Sequence, residues 1–212
     1  MVDISCNLSN ILVEIQGAGG ASLVAVSKFQ PAEKISEALD AGHRLFGENR
    51  VQEALLKWPC LKNKYDGVEL HLIGPLQTNK IKEAFKIFDV IEVLDRKKLA
   101  DAIKKEADKS GKNVECYIQI NTGGEEQKAG VFPQDADEFI EYCKSICLNI
   151  TGLMCIPPVN EAPAPHFTML AQLAKKHNLP NISMGMSGDY LVAIKHGATH
   201  VRVGSAIFGN RS

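Results

Sequence analysis

The 212-residue chain has no run approaching the ~20 consecutive apolar residues that a membrane-spanning helix needs. Nor does it open with a basic leader followed by an apolar core, so no secretory signal is expected. It has no excess of either charge: 24 Lys and Arg against 25 Asp and Glu leave a net charge of −1. That balance gives no global attraction to nucleic acid or to an anionic membrane. The basic clusters Arg96-Lys97-Lys98 and Lys175-Lys176 fall on helical patterns and read as solvated faces. Cys-x-x-Cys pairs are absent, and the six cysteines (Cys6, Cys60, Cys116, Cys143, Cys147 and Cys155) are scattered. Cys143 and Cys147 lie four apart on a helix pattern, but no second pair with histidine spacing completes a metal site. Free thiols in a reducing, cytoplasmic setting are expected, and no metal. No linker, low-complexity tract or repeat divides the chain, so residues 1–212 are expected to form a single domain.

What the chain does have is alternation, with 45% hydrophobic residues available to build a core. After a helix-like lead-in over 4–15 and a break at Gly17-Ala18-Gly19-Gly20, short apolar runs at 23–27, 45–47, 70–73, 90–93, 114–120, 150–154, 181–184 and 200–203 read as strands. Between them, sets such as Ile35/Ala38/Leu39, Leu99/Ala102/Ile103 and Leu191/Ile194 recur at helical spacing, one apolar face each. Pro31 suits the first position of a helix over 32–41, Asp95 suits an N-cap, Gly111 a helix end and Pro133 a helix start. Pro157-Pro158 and Pro163/Pro165 mark a loop after the sixth strand. Eight strands alternating with helices in 212 residues fit a compact α/β (β/α)₈ barrel of the TIM type, with an open doubly wound sheet as the alternative.

The run Ala25-Val-Ser-Lys28 ends the first strand in a single lysine, at the strand end where α/β proteins keep their chemistry. A lysine there can be desolvated, which frees its amine for Schiff-base formation; alone, it fits equally a lysine snorkelling at a strand end. In the last strand, Val201 and Val203 share one face and Arg202 points the other way, into the barrel, where its charge needs an acceptor. Gly204-Ser205 then opens a short apolar segment, a turn suited to phosphate, and Met184-Gly-Met-Ser187 supplies a second hydroxyl after the seventh strand. A Schiff-base lysine facing a phosphate cup across the barrel mouth matches one ligand carrying both an aldehyde and a phosphate, pyridoxal 5′-phosphate (PLP). A phosphosugar aldolase fits the same two features.

Other turns lie at the same rim. Glu48 or Asn49 suits the cap of a helix beginning near Arg50, a role that suffices for Glu48, while Asn49 could also bond a ring substituent of the ligand. His71 reads at least as well as a satisfied core histidine as it does as a ligand contact. The segment Gly123-Gly-Glu-Glu-Gln-Lys128 reads as a flexible rim loop.

Ala25-Val-Ser-Lys28, Phe46-Gly-Glu-Asn49, His71-Leu-Ile-Gly-Pro-Leu-Gln-Thr-Asn-Lys80, Met184-Gly-Met-Ser187 and Val201-Arg-Val-Gly-Ser-Ala-Ile-Phe-Gly209, in this order, resemble the pyridoxal phosphate homeostasis protein family, whose members look like the isolated barrel domain of alanine racemase. The resemblance implies a (β/α)₈ barrel of PLP fold type III with an extra N-terminal helix, and PLP held as an aldimine on Lys28. By matching position it implies phosphate contacts from Ser187, Gly204 and Ser205, Arg202 near the pyridine nitrogen, and Asn49 in the ring pocket. Two positions depart from the family pattern. Ser205 stands where threonine is frequent, keeping the hydroxyl, and Leu191 stands where glutamate is frequent, so neither a salt bridge nor a regulatory contact is expected to carry over at that position, while the cofactor expectation is unaffected.

The function expected is a PLP-binding protein that buffers or delivers the cofactor and maintains vitamin B6 homeostasis, with PLP-dependent apoenzymes as recipients. The alternative is a PLP enzyme acting on amino acids, such as a weak racemase. A two-base racemase needs a second acid/base opposite the lysine, which in alanine racemase comes from an additional domain of the partner subunit. The chain ends at Ser212, so no such domain is expected, and because the racemase dimer depends on that domain a monomer is expected. Tyr65, Tyr117, Tyr142 and Tyr190 do not map clearly to the rim. Arg202 beside the pyridine nitrogen would oppose its protonation and weaken the electron sink.

Overall fold

Short runs of Val, Ile and Leu form strands, and the apolar stripes between them form the helices that cover those strands. The computed structural model describes residues 2–209. Its elements are α1 (Ile4–Gly17), β1 (Ser22–Val26), α2 (Ala32–Asp40), β2 (Leu45–Glu48), α3 (Val51–Lys64), β3 (Glu69–Leu72), α4 (Ile81–Ile87), β4 (Val90–Leu94) and α5 (Lys97–Ser110). They continue as β5 (Glu115–Ile120), α6 (Ala136–Ser145), β6 (Ile150–Cys155), α7 (Pro163–Lys176), β7 (Asn181–Met186), α8 (Tyr190–Lys195), β8 (His200–Val203) and α9 (Ser205–Phe208). The eight strands are parallel and follow sequence order around a closed barrel. Closure comes from β8 pairing back onto β1, with Ser22 opposite His200 and Ala25 opposite Val203. The TIM-type barrel is thus observed and the open sheet excluded. Closure also corrects one expectation: β1 and β8 are neighbours, so Lys28 and Gly204-Ser205 share one side of the mouth and do not face each other across it.

Between barrel and helices lies a continuous apolar layer in which Phe46 of β2 packs on Trp58 of α3, ring centroids 4.9 Å apart, and both are fully buried. The lead-in helix α1 starts at Asp3, whose carboxylate accepts the Cys6 N–H at 2.9 Å. It buries Ile4, Leu8, Ile11 and Ile15, one helical face, against α2, α8 and α9. Asn7 of α1 donates its side-chain amide to Ile207 O at 3.0 Å, and Lys34 of α2 donates to Phe208 O at 3.2 Å. The short α9 is thereby held from two neighbouring helices.

Several local expectations change. Asp95 does not cap α5; Arg96 takes that position and holds the Asp95 carboxylate at 2.5 Å. Gly111 does end α5, at φ 69°. Pro31 sits one residue before α2, at its N-cap. Pro163 and Pro165 belong to the first turn of α7, where a missing N–H costs nothing. Leu191 is exposed on α8, whose buried residues are Tyr190, Ala193 and Ile194. The 123–128 loop is anchored by Asn121, which donates to Glu125 O (2.8 Å) and accepts from the Glu125 N–H (3.2 Å).

Removing Trp58 should open a large cavity in this layer. Trp58→Ala is expected to lower unfolding stability by about 3–5 kcal/mol in urea titrations, whereas Leu56→Ala, on the exposed side of α3, should change it by less than ~0.5 kcal/mol.

Candidate functional site

The carboxyl ends of β1, β2, β3, β6, β7 and β8 surround a cavity of about 230 Å³. Lys28, Asn49, Ser187, Arg202, Gly204 and Ser205 all line it. Val26, Gln30, Ile73, Ile156, Met186 and Gly209 complete the wall.

Lys28 is positioned by a constrained turn. The next residue, Phe29, has φ 61°, a left-handed conformation costly for a bulky side chain. Its N–H donates to Glu53 Oε1 at 2.6 Å, and the Arg50 guanidinium lies over its ring at 5.7 Å. On the same helix, Lys57 Nζ donates to Ser27 O (3.1 Å) and contacts both Glu53 and Glu48 at 2.8 Å. Glu48 is fully buried and accepts from the Ser27 hydroxyl (2.7 Å) and the Trp58 indole N–H (3.1 Å). Burial pushes its carboxyl above the usual range, and Lys57, Ser27 and Trp58 offset that only in part. Glu48 is therefore an anchor for the lysine turn and not a helix cap; Arg50 occupies the N-cap of α3 and makes no side-chain cap bond.

Asn49 presents a buried Oδ1 that has no hydrogen-bond partner among the described residues. Its backbone is approached so closely by Gly74 that a Cβ there would lie 2.4 Å from Asn49 O, which explains the glycine in the turn after β3. Ser205 Oγ donates to Ser187 Oγ at 3.5 Å, so the two hydroxyls sit side by side. Gly185, at φ 89°, sets the approach to Ser187; a Cβ on it would lie 2.5 Å from the Ala193 methyl.

Arg202 is 4% exposed and turns to the barrel axis. Its Nη1 donates to Ser183 Oγ at 2.7 Å and its Nη2 to Cys155 O at 2.8 Å. Ser183 in turn donates to Glu92 Oε2 at 2.6 Å, and His71 contacts Glu92 Oε1 through Nδ1 at 2.5 Å and Glu69 through Nε2 at 2.8 Å. His71 does not line the cavity; it is the satisfied core histidine. Burial alone would lower its pKa, but hydrogen bonds to Glu69 and Glu92 and their charge outweigh burial and raise it to about 9. The neighbouring His200 is held below its ordinary value, chiefly by burial.

Sequence reasoning missed Glu92 and Ser183. The available signal was a carboxylate inside Val90-Ile-Glu-Val-Leu94 and a hydroxyl between Ile182 and Met184, each a polar residue flanked by apolar ones. None of the four tyrosines lines the cavity. Tyr117 stands in the barrel interior with its ring centroid 6.1 Å from His71, and the Tyr190 hydroxyl donates to Glu14. Among the described residues, no group of His, Cys, Asp and Glu is placed to hold a metal ion, and no helix is long and apolar enough to cross a membrane.

Residues 3–212 of the chain match the model for the alanine racemase N-terminal domain. The chain belongs to that family and, within it, to the pyridoxal phosphate homeostasis proteins. It is 42% identical over 222 residues to the pyridoxal phosphate homeostasis protein of Aquifex aeolicus, covering 96% of each chain. It is 38% identical to the human protein of the same name over 210 residues, covering 89% of this chain and 76% of that one. PipY of Synechococcus elongatus, whose structure has been solved with PLP bound, superimposes with a TM-score of 0.84 at 33% identity, over 97% of this chain and all of PipY. Alanine racemase of Clostridium difficile shares the fold alone, with a TM-score of 0.77 at 14% identity, over 98% of this chain and 56% of the racemase.

The charge on His71 makes stability pH-dependent. A folded pKa of about 9 against ~6.5 unfolded means that its contribution is complete below pH ~6.5 and is lost as pH rises through about 9. Unfolding free energy should fall by on the order of 3 kcal/mol across that window, measured by urea titration at stepped pH, and His71→Asn should lack this slope.

Proposed function

We propose that this protein binds PLP in the barrel mouth, with Lys28 as its covalent anchor, and stores and delivers the cofactor to maintain vitamin B6 homeostasis. The observation that carries this reading is the convergence of Lys28, Asn49, Ser187, Arg202, Gly204 and Ser205 on one cavity from the ends of four strands, β1, β2, β7 and β8. PipY with PLP bound and relatives named as pyridoxal phosphate homeostasis proteins support it. The residues present suit the group. The Ser187 and Ser205 hydroxyls and the Gly204 turn would hold the phosphate, and the unpartnered Asn49 Oδ1 would take a ring substituent. Lys28 Nζ would hold the aldehyde carbon with loss of one water. When bound, PLP supplies that aldehyde and an electron-withdrawing pyridine ring. Arg202 would stand at the ring nitrogen as a cation and oppose its protonation, which weakens electron withdrawal.

Holding the cofactor is favoured over turning substrate over, because no tyrosine stands at the cavity to act as a second acid/base. In this reading residues 1–212 act as one PLP-binding unit, a monomer in the cytoplasm, with PLP-dependent apoenzymes as recipients. The scattered cysteines, which are free thiols in the structure, support the reducing setting.

Two measurements test the reading. Lys28→Ala should abolish the borohydride-reducible adduct while leaving weaker, phosphate-anchored binding; a reducible adduct that survives would overturn the lysine assignment. PLP-loaded protein mixed with amino acids in D₂O should show no α-proton exchange beyond free PLP. Lysine-dependent exchange above that level would make the protein an α-carbon catalyst.

A further inference from the structure

The interior of a (β/α)₈ barrel is ordinarily filled by layers of branched apolar side chains. Here a hydrogen-bonded polar thread runs through it instead, from Glu69 at the amino end of β3 to Arg202 in the cavity wall. The Glu69 side chain is 51% exposed, while those of His71 and Glu92 are fully buried and that of Arg202 is 3% exposed. Burying these charges is costly, and an apolar filling of equal volume would be as stable or more so. Stability alone therefore gives no reason for the thread.

Its proton order gives one. An ionised carboxylate accepts hydrogen bonds and cannot donate them. Glu92 is kept ionised: burial alone would raise its pKa, but the contacts with His71, Arg202 and Ser183 outweigh burial and lower it. The Ser183 hydroxyl must then spend its proton on Glu92, at 2.6 Å, and can meet Arg202 Nη1 only as an acceptor, at 2.7 Å. With Nη2 fixed on Cys155 O, the guanidinium is bonded at two points and its plane is set. Glu92 also lies 3.9 Å from Nη1, so the cation keeps a counter-charge behind it.

We propose that Glu92 is a positioning residue for the cofactor: through Ser183 it dictates the orientation of Arg202, and so holds the guanidinium where the pyridine nitrogen of PLP meets it. This rests on the reading that the cavity binds PLP. Glutamine at position 92 has the shape of glutamate but can turn an N–H toward Ser183. The serine proton would then point at Arg202, two donors would oppose one another, and the guanidinium would leave its place. Ser183→Ala removes the same link without touching a charge, and Glu92→Asp restores the acceptor.

The test is ¹⁵N NMR of PLP labelled at the ring nitrogen and bound to each variant, with affinity measured in parallel by absorbance titration. Glu92→Gln and Ser183→Ala should each move the ring-nitrogen shift away from the wild-type value and weaken PLP about tenfold, with the Lys28 adduct still forming. Glu92→Asp should recover most of the wild-type shift. If Glu92→Gln does not fold, Ser183→Ala alone decides. An unchanged shift and affinity in folded Ser183→Ala would overturn the positioning role, even where wild type binds PLP on Lys28. Failure of wild type to bind PLP at all would instead remove the underlying reading.

Discussion

The pairing of β8 with β1 is the contact on which the site depends. Until the barrel closes, Lys28 lies near the start of the chain and Gly204-Ser205 near its end, and nothing local brings them together. The register that sets Ala25 opposite Val203 carries both past their strand ends on the same side of the mouth. It also seats Gly204 against Val26, where a Cβ would lie 3.1 Å from the Val26 carbonyl oxygen. The extra helix α1 and the neighbouring α2 reinforce the arrangement from outside by holding the two last carbonyls of α9. A sheet that stayed open would leave the lysine and the hydroxyls at opposite edges.

Two buried carboxylates then brace the two basic residues of the mouth, one on each face of the sheet. On the outer face, Glu48 accepts from Ser27 beside Lys28, and Lys57 neutralises it. On the inner face, Glu92 accepts from Ser183 beside Arg202, and His71 neutralises it. Each arrangement puts a serine hydroxyl between a buried carboxylate and the backbone or side chain that must not move. Each costs desolvation that an apolar pair would avoid. The left-handed Phe29 adds a third local cost, held by Glu53. Such costs concentrate where a fold fixes geometry in place of maximising stability.

The element order was legible in the sequence because strand runs alternate with helical stripes, and the lysine, arginine and Gly/Ser turns sit where strands end; strand count alone did not separate a closed barrel from an open sheet. What could not be read was spatial adjacency. Periodicity places Lys28 and Ser205 at strand ends but does not tell which strands adjoin, so an arrangement across the mouth looked reasonable until closure put them side by side. Glu48 read as a cap because it precedes a helix; only the packing of Trp58 and Lys57 of α3 beneath β2 shows it as an interior anchor. Glu92 was hidden for a related reason. A single carboxylate in an apolar strand has meaning only once His71 and Ser183, from strands β3 and β7, are seen to converge on it.

The most direct measurement is borohydride reduction of PLP-loaded protein, followed by protease digestion and mass spectrometry of the peptides. Reduced phosphopyridoxyl label on Lys28 alone is the expected result, because Lys28 lines the same cavity as Ser187 and Ser205. Label on any other lysine, or no label at all, would contradict a PLP site built at the β1–β8 seam.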